Sequence, residues 1–126
     1  MISVILPTYN EALTIDSALK DIAQALSGRE HEVIVVDDDS PDLTWQKAES
    51  ERVAFPSLRV IRRRNERGLS TAVLTGFAAA RGDILVVMDA DGQHDAGLLP
   101  ALSALIESDA ADIAIASRYM TGGSVG

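Results

Sequence analysis

The sequence predicts an α/β domain, a mostly parallel sheet flanked by helices. Three observations lead there. Short runs rich in Val and Ile alternate with segments of helical period along the 126 residues. Most of those runs carry no polar alternation, as strands covered on both faces require. Their order is strand then helix throughout, which right-handed crossovers turn into parallel neighbours.

The elements follow in order. ISVIL, residues 2–6, is the first strand. Ile15, Ala18, Leu19, Ile22, Ala25 and Leu26 then recur at spacings of three and four, the stripe of a helix. EVIVV (32–36) is the second strand, and 42–54 a weaker helix anchored by Trp45 and Ala48. LRVI (58–61) precedes a helix with its stripe on Leu69, Ala72, Val73, Gly76, Phe77 and Ala80. DILVVM (83–88) is the fourth strand, and Leu98, Leu99, Leu102, Leu105 and Ile106 mark the next helix. DIAIAS (112–117) closes the series. No repeat, linker or low-complexity run interrupts it, so residues 1–126 read as a single domain.

The composition narrows the function classes. Hydrophobic residues make up 47% and charged residues 24%, as in ordinary soluble globular proteins. A net charge of −8 argues against a nucleic-acid binder. With no cysteine, disulfides and thiolate metal sites are excluded, which fits a reducing, cytoplasmic setting. MISVILP lacks the basic start of a signal peptide, and no apolar run approaches the roughly 20 residues that cross a bilayer.

In open sheets of this kind ligands sit beyond the carboxyl ends of the strands, and the polar clusters fall there. The first strand ends in PTYNEA. Thr8 and Glu11 have the spacing of a capping box, Tyr9 offers a ring on which a base can stack, and Glu11 offers an acceptor for a hydroxyl. The glycine-rich turn of dinucleotide folds is missing, which counts against an ordinary oxidoreductase. The second strand ends in VVDDDSP, where three adjacent carboxylates repel one another. Capping of the next helix by Asp37–Asp39 with Ser40 accounts for one or two of them; one is then left to accept from the N–H edge of uracil or guanine.

The fourth strand runs into DADGQH. Asp89, Asp91 and Gln93 form a hard-oxygen set suited to Mg²⁺ or Mn²⁺, an ion that would offset the charge of a departing pyrophosphate. His94 could add a ligand, though a lone His after a turn is more often a loop residue. Arg59, Arg62, Arg63, Arg64 and Arg67 crowd the segment 59–67. Arg59 and Arg62 read as solvated; Gly68 before a helix start, beside an arginine, suits a phosphate; Arg63, Arg64 or Arg67 alternatively meets an anionic membrane surface. Arg118, after the fifth strand, is either a counter-charge to the acids or a phosphate clamp.

Five segments carry a resemblance: LPTYNE (6–11), VVDDDSPD (35–42), RGLSTAVLTGF (67–77), VVMDADGQH (86–94) and ASRYMTGGS (116–124). Together the chain resembles the family-2 inverting glycosyltransferases of the GT-A fold, and within them the dolichol-phosphate mannose synthase and polyprenol-phosphate sugar transferase branch. The resemblance implies that Pro7, Tyr9 and Glu11 line a nucleotide pocket and that Val36 and Asp38 contact the base. It implies that Asp89, Asp91 and Gln93 hold a divalent metal on the diphosphate of a GDP- or UDP-sugar, Asp89 and Asp91 being the catalytic carboxylates. Ala90 and Asp91 would lie against the donor, and Arg118 would touch its phosphate or sugar. The acceptor it implies is a lipid phosphate, already ionised, so no general base is assigned. One departure is Asp95-Ala96, where the branch commonly has Pro-Pro. The expectation is a donor-binding N-terminal half, with the acceptor-binding part beyond Gly126 and the full-length protein at the cytoplasmic face of a membrane.

Two other readings compete. VIVVDDDS resembles the acidic opening of a two-component receiver domain, with Asp89 as phosphoacceptor and Ser117 as switch hydroxyl. There the acids should follow the first strand, whereas here a strand and helix precede them. The other is a catalytically idle nucleotide-binding module.

Overall fold

The computed structural model describes residues 1–88, residue 90 and the backbone of residues 113–116. The helix expected over 98–106 lies outside the described residues. The chain forms β1 (Ile2–Thr8), α1 (Ile15–Ala25), β2 (His31–Asp37), α2 (Thr44–Ser50), β3 (Leu58–Arg62), α3 (Leu69–Ala79), β4 (Ile84–Met88) and β5 (Ile113–Ala116). All pairings are parallel, in the order β3-β2-β1-β4-β5. The chain therefore winds outward from β1 to β3, then returns through α3 to the other side of β1. The reversal lies between β1 and β4, the place where such sheets open a crevice.

The strands lack polar alternation because both faces are covered, and their side chains divide between two cores. Ile2, Val4 and Leu6 of β1, with Val33, Val35, Val86 and Met88, pack against Ile15, Ala18, Leu19 and Ile22 of α1 and Ala48 of α2. Ile5, Ile34, Val36 and Val87 point the other way, to Ala72 of α3. Gly76 lets α3 sit close on β1: a Cβ there would meet Ile5 Cγ2 at 2.5 Å. Leu69 departs from its expected stripe, 65% exposed as the first residue of α3.

β1 and β2 run further than their apolar runs. Pro7 pairs with Val36 and Thr8 with Asp37, so these residues belong to the sheet. Beyond Ile5↔Val87, β1 and β4 no longer pair, and Pro7, without an N–H, lies past that point. The segment expected as one helix over 42–54 is instead α2 followed by a 3-10 turn at Glu51–Val53.

Neither expected cap forms. The Thr8 hydroxyl donates to Asp37 Oδ1 at 2.6 Å, and α1 starts only at Ile15, with Thr14 at its N-cap making no side-chain capping bond. Asp37 to Ser40 do not cap α2 either, because a turn intervenes and Leu43 stands at its N-cap with φ 63°. Asp42 serves the start of that helix, its Oδ1 accepting from Thr44 N–H at 3.1 Å. At the opposite end of the sheet Glu32 accepts from Ser3, Arg59 and the N–H of Arg81. This ties β1, β2, β3 and the start of β4 together.

Candidate functional site

The three aspartates after β2 avoid one another by having separate partners. Asp37 is fully buried and anchors the turn, accepting from Thr8 Oγ1, Ser40 N–H at 2.9 Å and Ser40 Oγ at 2.7 Å. Asp39 pairs with Arg62 Nε at 2.7 Å, and Arg62 also lies over the Trp45 ring at 4.0 Å. Asp38 pairs with Arg63, Nε to Oδ1 at 2.7 Å, and both side chains are buried. The cause is register. Asp37 sits opposite Arg62 in the β2–β3 ladder, so the acidic run leaving β2 meets the basic run leaving β3.

Two expectations are thereby corrected. Arg59 and Arg62 are not solvated loop residues; they lie in β3, with Arg59 held by Glu32 and by the Ala79 carbonyl and Arg62 by Asp39. Arg63 is too deeply buried to reach a membrane surface. Its hydrogen bond to Asp38 is the main influence raising its pKa, against the opposing effect of burial.

The Asp38–Arg63 pair also shapes the loop that follows β3. Asp38 Oδ2 accepts from Gly68 N–H at 2.8 Å, and Arg63 Nη2 donates to Gly68 C=O at 3.0 Å. Gly68 has φ 131°, a conformation that strains a residue with a Cβ, so glycine fits this junction between loop and helix. The opposite rim is stitched as well. Asn10 N–H donates to Ser40 Oγ, Glu11 N–H to Thr44 Oγ1 and Ala12 N–H to Asp42 Oδ2, at 2.9–3.0 Å. Burial alone would raise the Asp42 carboxyl pKa, but hydrogen bonds from Thr44 and Ala12 hold it below its ordinary value. Asn10 and Asp39 stand in the left-handed region, with φ 56° and 54°, on the two sides of this seam.

Between these rims lies a cavity of about 280 Å³, walled by Pro7, Thr8, Tyr9, Glu11, Asp38, Arg67, Gly68, Leu69 and Ala72. Four sequence-predicted residues, Pro7, Tyr9, Glu11 and Asp38, meet there. Val36 does not reach the wall; it is fully buried in the core beneath α3. Leu69 and Ala72 line the cavity without a sequence signal of their own, since each reads as an ordinary helix residue, and Thr8, also in the wall, carried only the spacing of a cap. Asp38's pairing with Arg63 was legible only as two runs of opposite charge after consecutive strands. Arg67 lies over the Tyr9 ring, 4.7 Å from its centroid.

Asp89, Asp91, Gln93 and Arg118 lie outside the described residues. Met88 and Ala90, on either side of Asp89, are both 1% exposed. The Ala90 carbonyl accepts from Thr14 Oγ1, so the chain leaving β4 is fastened to the start of α1. Two carboxylates and an amide oxygen in this segment suit a hard divalent cation by donor type.

The fold and its cavity define the class: a doubly wound α/β domain whose pocket lies at the carboxyl edge of a parallel sheet. The sequence model for glycosyl transferase family 2 matches residues 3–126, and the chain belongs to that family. It is 50% identical over 124 residues to a dolichol-phosphate mannosyltransferase of Pyrococcus furiosus, a match covering 98% of this chain and 35% of that protein. It is 40% identical to an undecaprenyl-phosphate mannosyltransferase of Micrococcus luteus, covering 96% of this chain and 49% of that one. The mannosyltransferase PcManGT of Pyrobaculum calidifontis, solved in complex with GDP-Man and Mn2+, superposes with a TM-score of 0.69 at 32% identity. That match covers 82% of this chain and 32% of the other. The chain thus spans between about a third and a half of these proteins' lengths.

Membership corrects the receiver-domain reading, and so does topology. A receiver sheet runs 2-1-3-4-5, whereas here two strands are laid on one side of β1 before the chain crosses over. Among the described residues no helix is long and apolar enough to cross a membrane.

Proposed function

We propose that this chain is the donor-binding part of a metal-dependent inverting glycosyltransferase that moves a mannose- or glucose-type sugar from a GDP- or UDP-sugar to a polyprenol phosphate. The observation that carries the proposal is the meeting of Pro7, Tyr9, Glu11 and Asp38 in one cavity at the carboxyl ends of β1 and β2. Tyr9 supplies a stacking face. Asp38 supplies a carboxylate acceptor, held in place by Arg63 and Gly68, for an N–H of the base. Its two partners leave acceptor capacity on both oxygens, since each carboxylate oxygen accepts more than one hydrogen bond. The names of the relatives support the polyprenol-phosphate acceptor, and the GDP-Man and Mn2+ bound by PcManGT support the donor and the ion.

The remaining roles belong to the segment after β4. Asp89, Asp91 and Gln93 would hold Mg²⁺ or Mn²⁺, which supplies positive charge against the leaving diphosphate. Ala90 and Asp91 would lie against the donor, and Arg118 would face its phosphate or sugar. In the transfer an oxygen of the acceptor phosphate forms a bond to the anomeric carbon. The bond from that carbon to the diphosphate oxygen breaks from the opposite side, and its electron pair leaves with the nucleoside diphosphate. The acceptor is already an anion, so the site requires no strong base. Work on a lipid phosphate would place the full-length protein at the cytoplasmic membrane face.

Calorimetric titration with GDP-mannose and UDP-glucose, each with and without Mn²⁺, tests the proposal. One donor should bind, and more tightly with the ion. Equal affinity with and without Mn²⁺ would remove the ion from the site. Failure of both donors and of their diphosphates to bind would sink the nucleotide reading itself.

A further inference from the structure

We propose that Arg67 is a substrate-binding residue of this pocket, a tethered cation that yields the face of Tyr9 to a nucleobase and turns to the donor's phosphates. The proposal rests on the nucleotide reading above and adds a residue to it. Arg67 differs from the arginines of β3 and its end. Arg59, Arg62 and Arg63 each pair with a carboxylate, at 3.0, 2.7 and 2.7 Å. Arg67 is exposed, and among the described residues its guanidinium has only the Tyr9 ring as partner. Such a cation beside a cavity, in a chain of net charge −8, is positive charge that forms no salt bridge with a carboxylate among the described residues. A diphosphate is the anion the pocket is proposed to receive.

The geometry separates what is fixed from what moves. Gly68, the next residue, is held at both its N–H and its C=O by Asp38 and Arg63. The backbone that carries Arg67 is therefore anchored to the same carboxylate that would read the base, and only the side chain needs to swing. A cation–π contact at an exposed site holds by a factor of about two to five, so the stack is easily surrendered. A base stacking on an aromatic ring gains at least as much. Base binding at Tyr9 and release of the guanidinium toward the phosphates then become one event.

The two halves of the donor should respond oppositely to loss of Arg67. The full chain, Arg67→Ala and Arg67→Lys are titrated with guanosine, uridine and their diphosphates under one set of conditions. For the nucleoside whose diphosphate binds the wild type, Arg67→Ala should bind the nucleoside equally well or up to about fivefold more tightly. It should bind the diphosphate about fivefold or more weakly, as for a lost charge-assisted contact. Arg67→Lys should restore most of the diphosphate affinity. Because Arg67 is exposed, these variants should keep the wild-type melting temperature, and a thermal melt run alongside checks it. A ratio of nucleoside to diphosphate affinity unchanged in Arg67→Ala overturns this proposal while leaving the pocket intact. A wild-type chain that binds no diphosphate overturns the nucleotide reading instead.

Discussion

Replacing Arg63 by Ala removes the cation beneath the pocket. The change deletes the 2.7 Å bond to Asp38 and the 3.0 Å bond to the Gly68 carbonyl, leaving the buried Asp38 carboxylate held by Gly68 N–H. Hydrogen bonds to charged groups contribute about 1.5–3 kcal/mol each, and breaking a buried ion pair costs about 3–5 kcal/mol. Against that stands a cost already present in the wild type. Arg63 Nη1 is buried without a hydrogen bond, and the Glu66 carboxylate lies 3.8 Å from it. The net loss should therefore fall at the lower end, about 3 kcal/mol, or a melting temperature lower by roughly 10 °C for a domain of this size. Urea unfolding of wild type, Arg63→Ala, Asp38→Asn and the double variant reads the coupling directly. The double variant should lose about 1.5–3 kcal/mol less than the two single losses added. Additivity to within about 0.5 kcal/mol would refute the claim that these side chains depend on each other.

Two further outcomes follow from packing and from charge. Gly76→Ala gains helix propensity of about 1 kcal/mol but drives its Cβ into Ile5, a fully buried β-branched residue with no room to yield. Overpacking should win, for a net loss of about 1–2 kcal/mol, and the same change should cost less in an Ile5→Ala background, which lacks both γ carbons; a more stable Gly76→Ala would contradict this close approach. Burial alone raises the Glu32 pKa, but the Arg81 N–H, the Ser3 hydroxyl and Arg59 hold it below the ordinary 4.5. The folded state thus binds that proton more weakly than the unfolded chain, so the stabilisation is complete above pH 4.5 and fades as pH falls through the lower folded value. Glu32→Gln should be less stable by about 1–3 kcal/mol at neutral pH, and chemical unfolding should show the gap narrowing below that range. A gap independent of pH would assign the Glu32 contribution to shape rather than charge.

The seam between the two rims bears on how the pocket is made ready. The loops after β1 and β2 present backbone donors to side chains of the other loop, as in Asn10 to Ser40 and Ala12 to Asp42. Lys47 of α2 reaches back to the Ala12 carbonyl at 2.6 Å. Tyr9 and Asp38 therefore stand on backbones that are already fixed, and binding need not order them.

What the sequence by itself determined was the set of elements and the end of the sheet where polar groups gather. Local apolar runs and helical stripes depend on a residue's near neighbours, so ISVIL, EVIVV and the Ile15–Leu26 stripe were readable at once. The order of strand and helix, read along the chain, was enough to expect parallel pairing. Only the tertiary structure decided what each polar residue does there. Thr8 has the spacing of a cap but bonds across the sheet to Asp37. Three adjacent aspartates look equivalent until the β2–β3 register sends Asp38 to Arg63 and Asp39 to Arg62. Arg67 reads like its neighbours, yet it is the one that lies over Tyr9 at the cavity. The reason is physical: a hydrogen bond or ion pair depends on a few ångströms between residues distant in sequence, and that separation is set only when the strands take their register.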